Sequence, residues 1–360
     1  MSELVRDELA EMLNRPANFL NEDAPGSPIV ISSRIRLARN LKNFAFPTAC
    51  SSESAAEVAR LITMAVKQCR RTSGSMLKFE INELNELERA ILLERHLVSR
   101  ELLAGQKSPQ AHISADGTVS IMVNEEDHLR MQVVLPGMQL HEAWRKLNNL
   151  DDKISKQLDI AYDSKLGYLT CCPSNVGTGI RISVMLHLPA LTMLDNIKPL
   201  ERGLAKLGLT VRGMYGEGSE NLGNFYQISN QSTLGESEKD IMEHLAGVIE
   251  QVINYEDNAR RKLLDSHRNR LLDKVGRAFG TLRYSYILSA KEAFDSLSGV
   301  RLGVDMDMFN SLDIKCINEL FMAVAAGHLQ CRAGCLLAEN ERDVFRAQCV
   351  RERIKQASSS

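Results

Sequence analysis

The sequence predicts an α+β protein: a mainly antiparallel sheet flanked by helices, followed by a helical C-terminal domain. Three observations carry this reading. Between residues 111 and 135 the apolar period changes to two, with Asp116-Gly117 as a hairpin turn between His112-Ile113 and Val119-Ser120-Ile121-Met122-Val123. Short strand candidates at 167–172, 180–187, 210–215 and 225–228 are mostly linked by hairpins and Gly-rich loops, which favours antiparallel pairing over a doubly wound parallel sheet. From Ser237 onward the pattern is almost wholly helical, through Ile241, Leu245, Val248, Ile249, Val252 and Ile253.

In chain order, residues 4–20 have helical spacing and the turn-rich stretch 21–28 completes an N-terminal arm over 1–28. Apolar residues three and four apart predict helices over 52–69 and 83–97, each laid on a core. Further helices are expected at 140–158 and 190–207, the second interrupting the later strands. The main domain is therefore placed at 29–256 and the helical domain at 257–360, with 356–360 frayed and no internal repeat.

A chain of 360 residues, 25% charged and 44% hydrophobic, is long enough for two globular domains, which excludes disordered, collagenous and fibrous classes. Its 44 basic and 46 acidic residues nearly cancel, so there is no global field to gather nucleic acid or anionic membrane. Any anion site must be local. The basic charge is skewed to 28 arginines against 16 lysines, and arginine suits two-point contact with phosphates and carboxylates. No apolar run approaches the length of a membrane span. The first ten residues carry acids and no basic-then-apolar leader, and the eight cysteines (Cys50, Cys69, Cys171, Cys172, Cys316, Cys331, Cys335, Cys349) show no zinc-type pairing. Reduced thiols in a cytoplasm are expected.

The chain lacks both the G-x-x-x-x-G-K-[ST] loop and the protein-kinase motif set, and the run Gly213-Met214-Tyr215-Gly216-Glu217-Gly218 has the wrong spacing for a dinucleotide fingerprint. What remains is arginines beside turn-forming polar runs: Ser32-Ser33-Arg34-Ile35-Arg36, Asn124-Glu125-Glu126-Asp127-His128-Leu129-Arg130, Cys172-Pro173-Ser174-Asn175-Val176-Gly177-Thr178-Gly179-Ile180-Arg181, and Val211-Arg212-Gly213. On a strand, alternation puts Arg34 and Arg36 on one face and Ile35 on the other. Two adjacent cations repel unless an anion lies between them, and a metal-bound triphosphate is such an anion. Solvated surface arginine is the bland reading of each position alone; five together shift the balance. The acids at 125–127 suit metal binding, helix capping or the orienting of a cationic substrate. Cys172 is read as either a buried or a reactive thiol.

These four runs, in this order and spacing, resemble the phosphagen kinase family of creatine and arginine kinases over 29–244. More narrowly, Tyr215-Gly216-Glu217-Gly218-Ser219-Glu220, Ile228-Ser229-Asn230-Gln231 and Arg342-Asp343-Val344-Phe345-Arg346-Ala347 resemble bacterial protein arginine kinases of the McsB type. The resemblance implies the phosphagen kinase catalytic fold. It implies that Arg34, Arg36, Arg130, Arg181 and Arg212 hold the phosphates of ATP and that His96 lies against the adenine. Ser32, Ser33, Ile35, Ile182, Ser183, Val184, Met185, Gly213, Met214, Tyr215 and Gly216 fill out that site. It further implies that Glu126 and Glu217 clamp the acceptor guanidinium, with Glu217 also bordering the nucleotide, while Cys172 sits beside the guanidinium nitrogen. Mg²⁺ is expected on ATP oxygens rather than on protein ligands. Met185 departs from the small-molecule kinases, which place a nucleotide-contacting histidine there.

A second departure is that only 31 residues precede Ser32, where those enzymes carry a helical domain of roughly a hundred residues. Its absence is expected to open the acceptor pocket to an arginine side chain of a protein. The resemblance also implies an allosteric phosphoarginine pocket at Arg342, Asp343 and Arg346, a role in marking proteins for a Clp-family unfoldase and protease, and an activator protein among the partners. Apolar Phe309, Leu312, Leu320 and Phe321, in excess of what a small domain buries, predict a homodimer. The competing expectations are a kinase of a free guanidino compound such as arginine, a non-catalytic phosphoarginine-binding adaptor, and a nucleic-acid binder, the last opposed by the neutral charge balance.

Overall fold

The computed structural model describes residues 4–21, 24–26, 28–69, 75–105, 107–214, 222–309 and 311–357. Its centre is β1 (Val30–Arg39), antiparallel both to β5 (Leu129–Pro136) and to β8 (Ile180–His187). On one side the sheet continues through β4 (Val119–Val123), β3 (Gln110–Ser114) and β2 (Met76–Glu80). On the other it continues through β10 (Phe225–Asn230) and β9 (Leu209–Gly213). The order is β2-β3-β4-β5-β1-β8-β10-β9, and every pairing is antiparallel. A separate ribbon pairs β6 (Tyr162–Asp163) with β7 (Gly167–Tyr168). The hairpin expected at Asp116-Gly117 joins β3 to β4: Gly117 takes φ +70°, and the Asp116 carboxylate accepts from the Thr118 N–H at 3.0 Å.

The helices are α1 (Asp7–Leu13), α2 (Ser52–Gln68), α3 (Glu86–Glu94), α4 (Arg100–Leu103), α5 (Leu140–Ser155), α6 (Pro189–Met193), α7 (Ile197–Lys206), α8 (Glu238–Ser266), α9 (Arg268–Tyr284), α10 (Ala290–Asp305), α11 (Ile314–Ala323), α12 (Ala326–Ala333) and α13 (Glu339–Ala357). Ser51 and Asp313 cap α2 and α11, and full capping boxes open α3 (Asn85 with Glu88) and α8 (Ser237 with Asp240). One sheet face carries Ile35, Leu37, Met131, Val133, Ile182, Val184 and Ile228, which form a single core with Val58 and Ile62 of α2, Leu147 of α5 and Leu245 and Ile249 of α8. Each such burial is worth about 1.5–3 kcal/mol. A one-residue slip of β1 would send Arg34 and Arg36 into this core, so the core fixes the register and with it the direction of the arginines.

The C-terminal helices build a second core from Phe294, Leu297, Ile317, Leu320 and Phe321, which continues onto Met185, Val134, Phe225 and Phe19. Leu312, Leu320 and Phe321 are therefore buried inside the chain and Phe309 packs partly buried against them, which overturns the expectation that they supply a dimer surface. The N-terminal arm is likewise packed: Leu9 and Met12 join Phe79, Ile91 and Leu92 in a third core, and Arg6 pairs with Glu88 at 3.0 Å.

Other departures from the sequence expectation are local. Residues 4–20 hold α1 and a 3₁₀ turn (Asn18–Leu20), separated by Pro16, which has no N–H to continue a helix. The expected strand at 167–172 ends at Tyr168, because the Cys171 N–H goes to Asp127 and Pro173 opens a 3₁₀ turn (Pro173–Asn175). The helix expected at 190–207 splits at Asp195, which takes φ +57°. α8 runs unbroken through Asp257, and the first break beyond it is at His267.

One buried ion pair fastens loop 172–179 to the central strand. Arg39 is 1% exposed; its Nη2 donates to Asp151 Oδ2 at 2.7 Å and its Nη1 to the carbonyls of Ala38 and Thr178 at 2.9 and 3.0 Å. Its guanidinium also lies 3.5 Å from the Tyr168 ring centroid. Removing one partner strands the other charge in the interior. Asp151→Ala is predicted to lower unfolding stability by about 3–5 kcal/mol in a denaturant titration, and a loss below about 1 kcal/mol would contradict this role.

Candidate active site

The strand registers place the arginines. Arg34 lies across from Ser183 and Val134, Arg36 from Arg181 and Gln132, Arg130 from Ala38, and Arg212 from Gln227, which in turn faces Met185. Residues directly across a ladder share a face. Arg34, Arg36, Arg130, Arg181 and Arg212 therefore occupy one face together with Ser32, Ser183 and Met185, opposite the helix-covered core. Ser33, Ile35, Ile182 and Val184, expected at the nucleotide site, turn the other way. Ser33 Oγ donates to the Gly137 carbonyl at 2.8 Å and accepts from the Gln139 N–H, while the three aliphatic side chains are fully buried. Only their backbones border the arginine face.

Burial, and then the neighbouring Arg130, Arg181 and Arg212, push the Arg34 guanidinium down to about 9. Arg36 is pushed well below its ordinary value by burial and then by Arg34, Arg130 and Arg181, with Glu125 opposing. No carboxylate pairs with Arg34 or Arg36 among the described residues, and Arg36 Nε is buried without a hydrogen-bond partner. Their remaining contacts are weak or shared: Arg34 Nε reaches Ser183 Oγ at 3.4 Å, and Arg181 Nη2 donates to Ser229 Oγ at 3.1 Å. Two unit cations 4 Å apart repel by roughly 4 kcal/mol at an effective dielectric of 20, so such a cluster is built to receive a multiply charged anion.

His96 follows α3 with φ +57° and lines a small cleft with Ser32, Arg34, Val134, Met185 and Gln227. Phe19 meets its ring edge-on at 4.6 Å, and Gln132 Nε2 donates to its carbonyl at 2.7 Å. Burial and Arg34 hold the imidazole down at about 3, so it is neutral at physiological pH. Gly213 ends β9 and Met214 is buried in the C-terminal core. Tyr215, Gly216 and Glu217 lie outside the described residues.

The acidic run resolves into separate tasks. Asn124, at φ +54°, ties the loop by donating from Nδ2 to the carbonyls of Ala55, Lys107 and Ser108. Glu125 is buried against Arg130 Nη1 at 2.5 and 2.6 Å and accepts from Ser99 Oγ. Burial opposes charge on Arg130, and the Glu125 carboxylate more than offsets it, so Arg130 stays firmly protonated. Asp127 Oδ1 accepts from Asn40 Nδ2 at 2.6 Å and from the Cys171 N–H at 2.7 Å. His128 Nδ1 accepts from the Leu41 N–H, which leaves Nε2 to donate to the Ala45 carbonyl at 3.0 Å; this histidine is structural. Glu126 alone has a carboxylate that accepts no hydrogen bond among the described residues. Half-buried, it is pushed up by desolvation, which the attraction of Arg130 only partly opposes.

Because Asp127 holds the Cys171 N–H, the loop bearing Glu126 and the turn bearing Cys172 are joined directly. Cys172 Sγ lies 3.0 Å from Ser174 Oγ. Burial, with Asp127 beside it, pushes the Cys171 thiol up to about 12, so that sulfur stays protonated. Gly177 and Gly179 adopt φ +113° and +64°, and a Cβ on either would fall 2.3 Å from the Thr233 carbonyl oxygen or 2.7 Å from that of Ala38. Only glycine fits this turn.

At the other end of the chain, Arg346 is 2% exposed; it donates to the carbonyls of Val324 and Leu288 at 2.9 and 2.8 Å and pairs with Asp343. Arg342 donates to the Leu337 carbonyl at 3.2 Å. Asp343 and Arg346 are thus engaged with each other. Asn40, Ser99 and Gln132 support the site without belonging to any of the sequence motifs, whereas Ser229 lies in the run Ile228-Ser229-Asn230-Gln231. Gln132 was recoverable, since Arg130 and Gln132 are polar positions two apart in an otherwise apolar strand.

Residues 57–259 match the family model of the ATP:guanido phosphotransferase C-terminal catalytic domain, and residues 268–360 match that of the protein-arginine kinase McsB C-terminal domain. The chain is 44% identical over 349 residues to the protein-arginine kinase of Brevibacillus brevis, covering 97% of this chain and 98% of that one. It is 46% identical over 323 residues to the protein-arginine kinase of Caldanaerobacter subterraneus subsp. tengcongensis, covering 89% and 96%. Among solved structures, the duplicated taurocyamine kinase of Schistosoma mansoni with bound transition-state analogue components superposes with TM-score 0.59 at 28% identity. That match covers 68% of this chain but only 35% of the duplicated one. Lombricine kinase superposes with TM-score 0.56 at 25% identity, covering 67% and 70%. The arginine-lined sheet face, the divided acidic loop and these matches together assign the chain to the ATP:guanido phosphotransferase family, in its protein-arginine kinase branch.

Proposed function

We propose that this chain, an arginine-directed phosphotransferase, moves the γ-phosphoryl group of ATP onto the guanidinium of arginine side chains in other proteins, using the arginine face and Glu126. The observation that carries the reading is the pairing of two partly buried arginines, Arg34 and Arg36, with a neighbouring loop that bears Glu126; among the described residues the arginines lack a carboxylate partner and the Glu126 carboxylate accepts no hydrogen bond. The cations fit the oxygens of a polyphosphate, and Arg130, Arg181 and Arg212 extend the same grip. The arginines would hold the phosphates, and Mg²⁺ brought in with the nucleotide would supply further neutralisation of their charge. His96, neutral and backed by Phe19, suits a flat base better than an anion. Similarity over nearly the whole length of curated protein-arginine kinases supports a protein-borne acceptor over free arginine.

A guanidinium is a poor nucleophile because its lone pairs are delocalised and it stays protonated near neutrality. It must lose a proton as the N–P bond forms and the bond from the γ-phosphorus to ADP breaks. Glu126 takes that proton, and a raised carboxylate pKa moves it toward the range useful to a base. Cys172 meets the guanidinium from the other side as an electrostatic partner, oriented by Ser174, and Glu217 is the second carboxylate of the clamp. Charge developing on the equatorial oxygens is stabilised by the arginines, which are already fixed by strand register and need not reorganise.

The reading extends, by resemblance, to a cytoplasmic enzyme that marks proteins for a Clp-family unfoldase, works with an activator protein and forms a homodimer. We place the division between the two domains near 257; the two matched segments end at 259 and begin at 268, and the helix break at His267 lies at the start of the second. In the C-terminal pocket, phosphoarginine would exchange the Asp343–Arg346 pair for two new ones, its phosphate on Arg342 and Arg346 and its guanidinium on Asp343.

Glu126→Gln is predicted to fold normally and to lose about 10²–10⁴ in kcat. Because the base acts only when ionised, wild-type kcat falls on the acid side with an apparent pKa above that of an ordinary glutamate, and this limb disappears in the variant. An unchanged limb would contradict the assignment. With ATP and either free arginine or a denatured protein as acceptor, phosphosite mass spectrometry at neutral pH is expected to find the mark on protein arginines; transfer to free arginine alone would overturn the protein-kinase reading.

A further inference from the structure

Arg95 is a buried cation without an anion. It is 8% exposed, its Nη2 donates to the carbonyls of Arg15 and Pro16 at 3.0 and 3.2 Å, and no carboxylate pairs with it among the described residues. Burial holds its pKa down at about 10. A desolvated charge satisfied only by carbonyls is costly, and the cost is relieved when an anion binds. The adjacent Glu94 does not serve: its Oε1 accepts from the Gly327 N–H at 2.7 Å, and its Oε2 accepts from the His328 N–H at 3.1 Å and sits 2.7 Å from His328 Nδ1. His328 is nine-tenths buried, and with Nδ1 on Glu94 its Nε2 is left buried without a partner.

Arg95 and His328 line one cleft of about 940 Å³ between the N-terminal arm and helices α11 and α12, together with Arg15, Lys315 and Arg332. That volume falls within the range of small-molecule pockets, about 300–1,000 Å³. Two acids also line it, and both are committed elsewhere. Asp116 accepts from Ser114 and Thr118 within its turn, and Glu319 pairs with Arg353 at 2.6 Å. Leu20 and Met322 give the cleft an apolar wall. Three guanidinium forks, an ammonium and an imidazole match a multiply charged phosphate better than a single carboxylate.

We propose that this cleft is a second anion site, separate from the arginine face of the sheet, that takes a small organic phosphate, with phosphoryl oxygens on Arg95, Lys315 and Arg332 and the organic body on Leu20 and Met322. It stands apart from the catalytic reading, since none of its residues belongs to the arginine face or the acidic loop. Inorganic pyrophosphate is the probe, followed by isothermal titration of the full chain carrying Arg36→Ala to weaken the catalytic face. That protein is expected to bind pyrophosphate at one site, and adding Lys315→Ala and Arg332→Ala, both exposed side chains, is expected to weaken binding tenfold or more. Absence of binding to the Arg36→Ala protein, or affinity unmoved by the two added substitutions, would overturn the proposal.

Discussion

Like charges held together on one face of a sheet are the constraint on which this structure turns. Arg34 and Arg36 would separate if they could, but β1 is the central strand, bonded on both edges, and its other face is locked by Ile35 and Leu37 into the helix-covered core. Register therefore holds the cations in place, and desolvation raises their cost. The apolar face stabilises the fold, and part of that stability is spent holding the opposite face in a state that only an anion relieves. A nucleotide arriving there finds its partners already fixed, which is the condition for stabilising charge that develops during transfer.

The acidic loop shows the same economy from the opposite sign. Three consecutive carboxylates would repel one another in a dry site. Glu125 is neutralised by Arg130, and Asp127 is used as an acceptor for Asn40 and for the backbone of the turn that carries Cys172. Of the three, only Glu126 keeps a carboxylate that accepts no hydrogen bond among the described residues. The bond from Asp127 to Cys171 means that the proposed base and the proposed thiol partner share one rigid support, although 46 positions separate Glu126 from Cys172 in the chain. The Gly177 and Gly179 turn, closed by Thr233 and by Arg39, fixes the far side of that support.

Much of this was legible in the sequence where local periodicity and local chemistry agree. The alternation of Ser32, Arg34 and Arg36 against Ile35 gave the two faces of β1, the Asp116-Gly117 turn gave the β3–β4 hairpin, and the 180–187 strand matched residue for residue. What stayed hidden depends on partners distant in the chain. Nothing near His128 says that Leu41 and Ala45 will claim both ring nitrogens, and nothing near Phe321 says that the rings of Phe225 and Phe294 will pack on it. Helix breaks at Asp195 and His267 were missed because apolar spacing continues across them while the backbone does not. The side chains of Ser33, Ile35, Ile182 and Val184 turn away from the arginine face for a simpler reason: a contiguous motif on a strand cannot present every side chain to one face.

The central claim is that the arginine face is strained until an anion arrives. Denaturant unfolding of the wild type and of Arg36→Met, each with and without ATP and Mg²⁺, tests it most directly. Without nucleotide, the variant should be at least as stable as the wild type, because a desolvated and repelled charge has been removed from a site it does not help to build. With nucleotide, the wild-type midpoint should rise and the variant's should hardly move. A variant that is clearly less stable without nucleotide, yet is stabilised by ATP as much as the wild type, would contradict the account.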